Sequence, residues 1–241
     1  ASIAEITEGL RGVASPKDIE TFFQLINLNF TSPRIDSTAF QSYISRIQAM
    51  LQNKDANPEN AFQDTIQVTL SQYHPRRMPW TEERLELLDM NKSFEFYKER
   101  FADASNFTFF FVGNFTNEEI KPFVEKYIAS LPAMHRKDGW RELGIEYPRG
   151  IIKKEVRRGV EPISQVRIAI TGEFDWNAQN NYDLQSLTSV ARIKLRELIR
   201  EDLGGTYGVR VSASGQKQPS ERFIFNVQFG CNPDRVDELV Q

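Results

Sequence analysis

The feature that most constrains the fold is a helix-to-strand junction late in the chain. Leu184, Leu187, Ala191, Leu195 and Leu198 recur at three- and four-residue steps, so the segment up to Glu201 reads as an amphipathic helix with one buried stripe. Gly204 and Gly205 end it, because paired glycines take the positive φ angles that turn a helix sharply into a following strand. Tyr207, Val209, Val211 and Ala213 then alternate as a half-buried strand does. Arg200 and Tyr207 fall on either side of the turn, near one corner. An Arg in the last helical turn complements the macrodipole, and a Tyr opening a strand is ordinary packing. The residue types alone leave both that account and a functional one open.

Three more segments supply strands for the same sheet. Residues 151–158 alternate with many charges, residues 163–170 alternate more apolarly through Val166, Ile168 and Ile170, and residues 222–230 put Phe223, Phe225, Val227 and Phe229 on one face. The long helix is expected to pack across this sheet as a layer, not as a crossover between parallel strands.

The first half of the chain is dominated by helices. Ser15-Pro16-Lys17-Asp18 is a helix start, with Phe22, Leu25, Ile26 and Asn29 following on one side. Asp36 or Ser37 starts a helix carrying Phe40, Ile44, Ile47 and Leu51, and Pro58 starts one carrying Phe62, Ile66 and Leu70. Two prolines, Pro75 and Pro79, interrupt before shorter helical stretches at 82–88 and 91–101. Residues 107–113, Phe-Thr-Phe-Phe-Phe-Val-Gly, form an apolar run of strand length and read as a buried central strand. Thr116 and Glu119 make a capping box for a helix that ends before Leu131-Pro132.

Composition excludes several function classes. Thirty basic and thirty-three acidic residues give a net charge of −3, which offers no general attraction to nucleic acid or an anionic membrane. No stretch approaches the roughly twenty apolar residues of a membrane-spanning helix. The single cysteine, Cys231, excludes an internal disulfide and leaves the compartment open. His74 and His135 lie far apart, at no spacing that sets two metal ligands on one helix face, so no metal site is expected in this chain.

The run around Leu198 to Tyr207, with Arg200 and Tyr207 seven residues apart, resembles the Arg/Tyr element in the C-terminal half of pitrilysin- and insulysin-type zinc metallopeptidases. Phe96-Tyr97-x-x-Arg100-Phe101, the run closing in Val112-Gly113-Asn114, the capped helix and Ser130-Leu131-Pro132 are similar to the segment that closes one repeating unit of that family. Glu8-Gly9-Leu10, Ser15 to Asp18 and Thr31-x-Pro33-Arg34 look like the middle of the same unit in long bacterial members, so the resemblance spans most of the chain.

The resemblance implies an α+β fold of two partial layered units, each mainly an antiparallel sheet with helices on one face, as in the pitrilysin and mitochondrial-processing-peptidase fold. Residues 1–137 would be the helix-rich end of one unit, 138–150 a linker, and 151–241 the start of the next. It implies a piece of a longer zinc endopeptidase, from its non-catalytic half, that walls a chamber and presents a substrate-binding surface. Tyr207 would donate a hydrogen bond to the developing oxyanion, and Arg200 and Tyr207 would bind the peptide. Zinc would belong to the parent, held by residues outside this chain, and the chain by itself would be inactive. Its partners would be the catalytic N-terminal half and peptide substrates, with no nucleic acid and no membrane. The resemblance favours periplasm or cell envelope, and cytoplasm stays open. Two other readings stand beside this one: a catalytically inactive partner subunit, or a scaffold module of the same fold.

The mixed Pro, Gly and charged stretch at 133–150 carries no apolar periodicity. Limited proteolysis should therefore cut there first. Initial cuts inside 107–128 or 163–200 would show that the boundary lies elsewhere.

Overall fold

A computed structural model describes residues 1–202, 204 and 208–241, without the side chains of Asp55 and residues 200–202. In chain order the elements are β1 (Ser2–Ile3), β2 (Glu8–Gly9), α1 (Ile19–Thr31), α2 (Ser37–Gln52), α3 (Pro58–Leu70), α4 (Glu82–Glu86), α5 (Met90–Arg100), α6 (Asn117–Phe123), β3 (Ser164–Glu173), α7 (Ala178–Arg196), β4 (Val209–Gln216), β5 (Arg222–Cys231) and α8 (Val236–Val240). They gather into two compact units, one of Ala1–Asn53 with Trp80–Trp140 and the other of Lys54–Pro79 with Arg141–Gln241. The structure is α+β, with a three-stranded antiparallel sheet in the second unit.

That sheet has the order β3-β5-β4. Its central strand, β5, sets Val227 between Ile168 and Val211, and Phe229 between Val166 and Val209. These two cross-strand rows, with Cys231, Ile199 and Leu239, form one apolar cluster, against which Ala191 and Leu195 of α7 pack. Burying a side chain such as Val227 or Phe229 contributes about 1.5–3 kcal/mol each. The other face is more polar: the Arg167 guanidinium donates to Asn226 Oδ1 at 3.1 and 2.9 Å. Gly215, near the end of β4, has no room for a side chain, because a Cβ there would run into the Phe174 ring.

The inward stripe of α7 differs from the one its leucines suggest. Leu184, Thr188 and Ile199 are buried with Ala191 and Leu195 partly covered, whereas Leu187 and Leu198 are about half exposed. Steps of four, three, four and four residues keep the side chains from 184 to 199 on one line, and Leu187 and Leu198 sit on its shoulder. Thr188 fits the stripe because its hydroxyl donates to the Leu184 carbonyl at 2.7 Å.

Residues 151–158, expected as a fourth strand, join no sheet among the described residues, and a turn with Gly159 at φ +87° leads from them into β3. Within the stretch read as a linker, Ile145 is buried and its carbonyl accepts a hydrogen bond from Arg222, whose guanidinium also lies over the Tyr147 ring.

The first unit is built round aromatic side chains. Phe23, fully buried, stacks on Phe111 with centroids 4.7 Å apart and on Phe123 at 5.7 Å. Phe30 meets Phe101 and Phe107 edge-on, and Tyr97 stacks on Phe101 while donating its hydroxyl to the Asn29 carbonyl at 2.9 Å. The buried line on α1 is Phe23, Ile26 and Phe30; of the residues expected on one side, Ile26 is buried and Phe22 partly covered, whereas Leu25 faces outward. The capping box forms as expected: Glu119 N–H donates to Thr116 Oγ1, and the Glu119 carboxylate accepts from the Thr116 N–H at 2.7 Å. Arg100 holds Glu8 through two 2.6 Å bonds and reaches Asp138 at 2.9 Å, which ties the β1–β2 hairpin to α5.

Residues 107–113 depart furthest from expectation. They are extended, with Phe107, Phe109 and Phe111 against the aromatic cluster, but they pair with no strand among the described residues, and Phe110 and Val112 are exposed. A central strand needs neighbours on both edges, and this unit holds only the two-residue β1–β2 ladder.

Asp103 closes the same unit. Its fully buried carboxylate accepts from the Ser105 hydroxyl at 2.6 Å and from the backbone N–H groups of Ser105, Met134 and Arg136. The Ser105 hydroxyl, aided by those N–H groups, holds the acid well below the usual carboxylate range against the upward push of burial. A lowered folded pKa means the contribution is complete above the ordinary value of 3.8 and is lost as the pH falls from there toward the folded value. In Asp103→Asn the amide NH₂ must face a donor, so thermal denaturation should show a clear loss of stability near neutral pH that shrinks as the pH drops below about 4. An equal deficit at all pH values would contradict this role for the carboxylate.

Candidate functional site

The corner at the end of α7 is held by contacts from helix to strand. Gln185 Nε2 donates to the Ala213 carbonyl and Arg192 Nη2 to the Val211 carbonyl, both at 3.2 Å. Both carbonyls belong to β4, an edge strand, so α7 covers that edge and fixes its own axis along it. Nothing in the residue pattern marks this clamp, since a long polar side chain on a helix reads as a solvent-facing residue.

Beyond Arg196 the helix widens into a π-type turn over Glu197–Asp202. Widening shifts the residues that follow round the axis, and such turns recur at functional sites. Ile199, on this turn, is buried in the core beside Val211 and anchors it. A surface ion pair between Lys194 and Glu197 at 2.9 Å bridges helix and turn and raises the pKa of the lysine. Gly204 has φ +57°, the left-handed conformation expected for the glycine that ends this helix. Arg200 follows Ile199 on the backbone of the turn, but its side chain lies outside the described residues, as do Gly205 and the whole of Tyr207. Their roles therefore rest on the sequence, and the described frame is the turn that carries Arg200 and the strand that begins at Val209.

The opposite edge of the sheet is open. An open groove of 2370 Å³ lies along β3, walled by residues 149–159 on one side and by Asp234, Asp237 and Val240 on another. Lys153, Lys154, Arg157 and Arg158 line the first wall. Ile163 and Ile170 of the groove are exposed.

Zinc chemistry does not fit the donors present. His74 Nδ1 accepts from the Arg76 N–H at 3.2 Å in a turn, which occupies one ring nitrogen. His135 has φ +56° in an irregular stretch, and its backbone N–H donates to Ser105. Cys231 ends β5 inside the core, and burial pushes its thiol pKa up, away from the thiolate a metal needs. Among the described residues no three His, Cys, Asp or Glu side chains gather closely enough to hold an ion. After dialysis the chain should carry no stoichiometric zinc by elemental analysis. One chelator-removable zinc per chain would contradict this.

The chain is 26% identical over 235 residues to the probable zinc protease PqqL of Haemophilus influenzae, covering 96% of this chain and 24% of that protein. Its fold is similar to that of the ferredoxin protease FusC, solved with Arabidopsis ferredoxin, at a TM-score of 0.73 and 17% identity over 93% of this chain and 24% of that one. It is also similar to the periplasmic protease PqqL of Escherichia coli, at a TM-score of 0.67 and 21% identity over 93% of this chain and 25% of that one. The chain thus spans about a quarter of the length of these relatives. Residues 88–241 match the peptidase M16 inactive domain, and the chain belongs to that family of pitrilysin-type zinc proteases, in its non-catalytic part.

Proposed function

We propose that this chain is a segment of the non-catalytic half of a zinc-dependent endopeptidase, forming part of the chamber wall and of the surface that binds the peptide. The observation that carries the reading is membership in the M16 inactive domain, whose matched residues 88–241 include the whole of α7, the turn after it and β4. In this reading residues 1–137 close one layered unit and residues 151–241 open the next, on either side of the linker at 138–150. The partner is the catalytic half of the same protein, which holds the zinc. The periplasmic setting named for the Escherichia coli relative is the compartment that goes with it.

When bound in the catalytic half, zinc supplies an activated water and polarises the scissile carbonyl. This chain's residues do the rest from the other side. Ile199 and the Arg192 clamp hold the turn after α7 in place. In this reading the Tyr207 phenol donates to the oxyanion as it forms and the Arg200 guanidinium holds a peptide carbonyl. A donor aimed where charge develops stabilises the transition state more than the bound substrate.

The test belongs in the longer enzyme. Tyr207→Phe should lower turnover on the order of 10²- to 10³-fold with little change in substrate affinity. Arg200→Ala should raise the Michaelis constant at least as much as it slows turnover, because a contact made in both ground and transition states is lost. Unchanged kinetics in a folded Tyr207→Phe enzyme would remove the phenol from the reaction.

A further inference from the structure

The sheet of the second unit has two unlike faces. One packs against α7 through the rows centred on Val227 and Phe229. On the other, alternation places Arg167, Asn226, Gln228, Arg210, Ser212 and Ser214. Arg210, Ser212 and Ser214, all on β4, are exposed, so that half of the face is open to a partner.

Its charge is one-sided. Between the Gln165–Gly230 row and the Thr171–Ile224–Ser214 row the face holds no Asp or Glu and two arginines, Arg167 and Arg210, on either side of Gln228. The only acid in the three strands, Glu173, lies about 20 Å along β3 from Arg167 and sits opposite Arg222. Asn226 Oδ1 accepts from Arg167 Nε and Nη2 at 3.1 and 2.9 Å, which fixes the guanidinium and leaves its Nη1 donors without a partner among the described residues. Two strand spacings put the arginines about 10 Å apart, about one Debye length at 0.1 M salt, so a single anionic segment feels both. Guanidinium takes a carboxylate through paired, charge-assisted hydrogen bonds, and the serine hydroxyls and the Gln228 amide between the two are further donors.

We infer that this polar face binds an acidic stretch of peptide, with Arg167 and Arg210 each taking a carboxylate. Carboxylates two residues apart on an extended peptide point the same way and lie about 7 Å apart, a spacing that two long side chains can span. The choice of a peptide rests on the proposed reading of the chain as part of a peptide-binding wall, and the net charge of −3 gives no general attraction to polyanions. The basic wall of the β3 groove suits an acidic peptide less well, because its Arg157 is paired with Glu155 at 2.7 Å and Asp234 and Asp237 line the same groove.

Fluorescence anisotropy with two labelled peptides of equal length, one carrying glutamates at alternate positions and the other glutamines, tests this on the 241-residue chain. The glutamate peptide should bind at least about tenfold more tightly, and the difference should shrink as salt is raised. Arg210→Gln, at an exposed position where folding is not at stake, should cut the difference to within about twofold, and Arg167→Gln should do the same. Lys121→Gln, an equal loss of charge on the first unit, should leave it unchanged. A preference that survives Arg210→Gln would overturn the inference, as would one lost instead in a Lys153→Gln, Lys154→Gln double variant. Equal affinity for the two peptides would overturn the acidic preference and leave the peptide-binding reading standing, whereas binding of neither would overturn both at this face. The assay needs no catalysis and no part of Arg200 or Tyr207, so its result is separate from that of the kinetic test.

Discussion

The packing of α7 against β4 and the apolar face of the sheet is the contact on which the second unit depends. Two cross-strand rows, Ile168–Val227–Val211 and Val166–Phe229–Val209, offer an apolar surface, and the line from Leu184 to Ile199 lies along it. Gln185 and Arg192 then hold the helix to the outer edge of β4 by hydrogen bonds to strand carbonyls. With the axis fixed at two points and the end anchored by Ile199, the position of the turn after α7 follows. A functional side chain on that turn takes its place from the core beneath it, which is how a rigid scaffold positions a loop-borne group.

Much of this architecture was legible in the residues because local chemistry dictated it. Gly204 takes the left-handed conformation that ends a helix, Asp36 and Asn57 cap the helices they precede, and Thr116 and Glu119 close their box. The strands at 164–173 and 222–231 follow their alternation. Features set by tertiary contacts were hidden. Nothing in the residue pattern marks the widened turn at 197–202, and leucine spacing chose Leu187 and Leu198 where packing chose Thr188 and Ile199. The Asp103 cradle was hidden too, because the Met134 and Arg136 N–H groups that complete it are brought by the fold. The candidate site was legible only as a resemblance, and the Arg200 side chain and Tyr207 lie outside the described residues.

The two segments read as strands that pair with no strand among the described residues, 107–113 and 151–158, share a physical cause. Strand sequence can specify extension and face, whereas hydrogen bonding needs a neighbour supplied by the fold. The aromatic cluster is enough to hold the first segment in place without one, because Phe107, Phe109 and Phe111 are fixed by ring contacts on their inward side. The second carries four basic residues, lies apart from β3 across the groove and has no such anchor.

In the proposed reading, this M16 inactive-domain chain works only as part of a larger zinc peptidase. Hydrolysis of a quenched, unfolded peptide measures it most directly, assayed for the chain alone, for the zinc-bearing remainder alone and for the joined protein. The account predicts chelator-sensitive cleavage by the joined protein, none by this chain and severely reduced cleavage by the remainder. Cleavage by this chain alone, or a remainder as active as the whole, would contradict it.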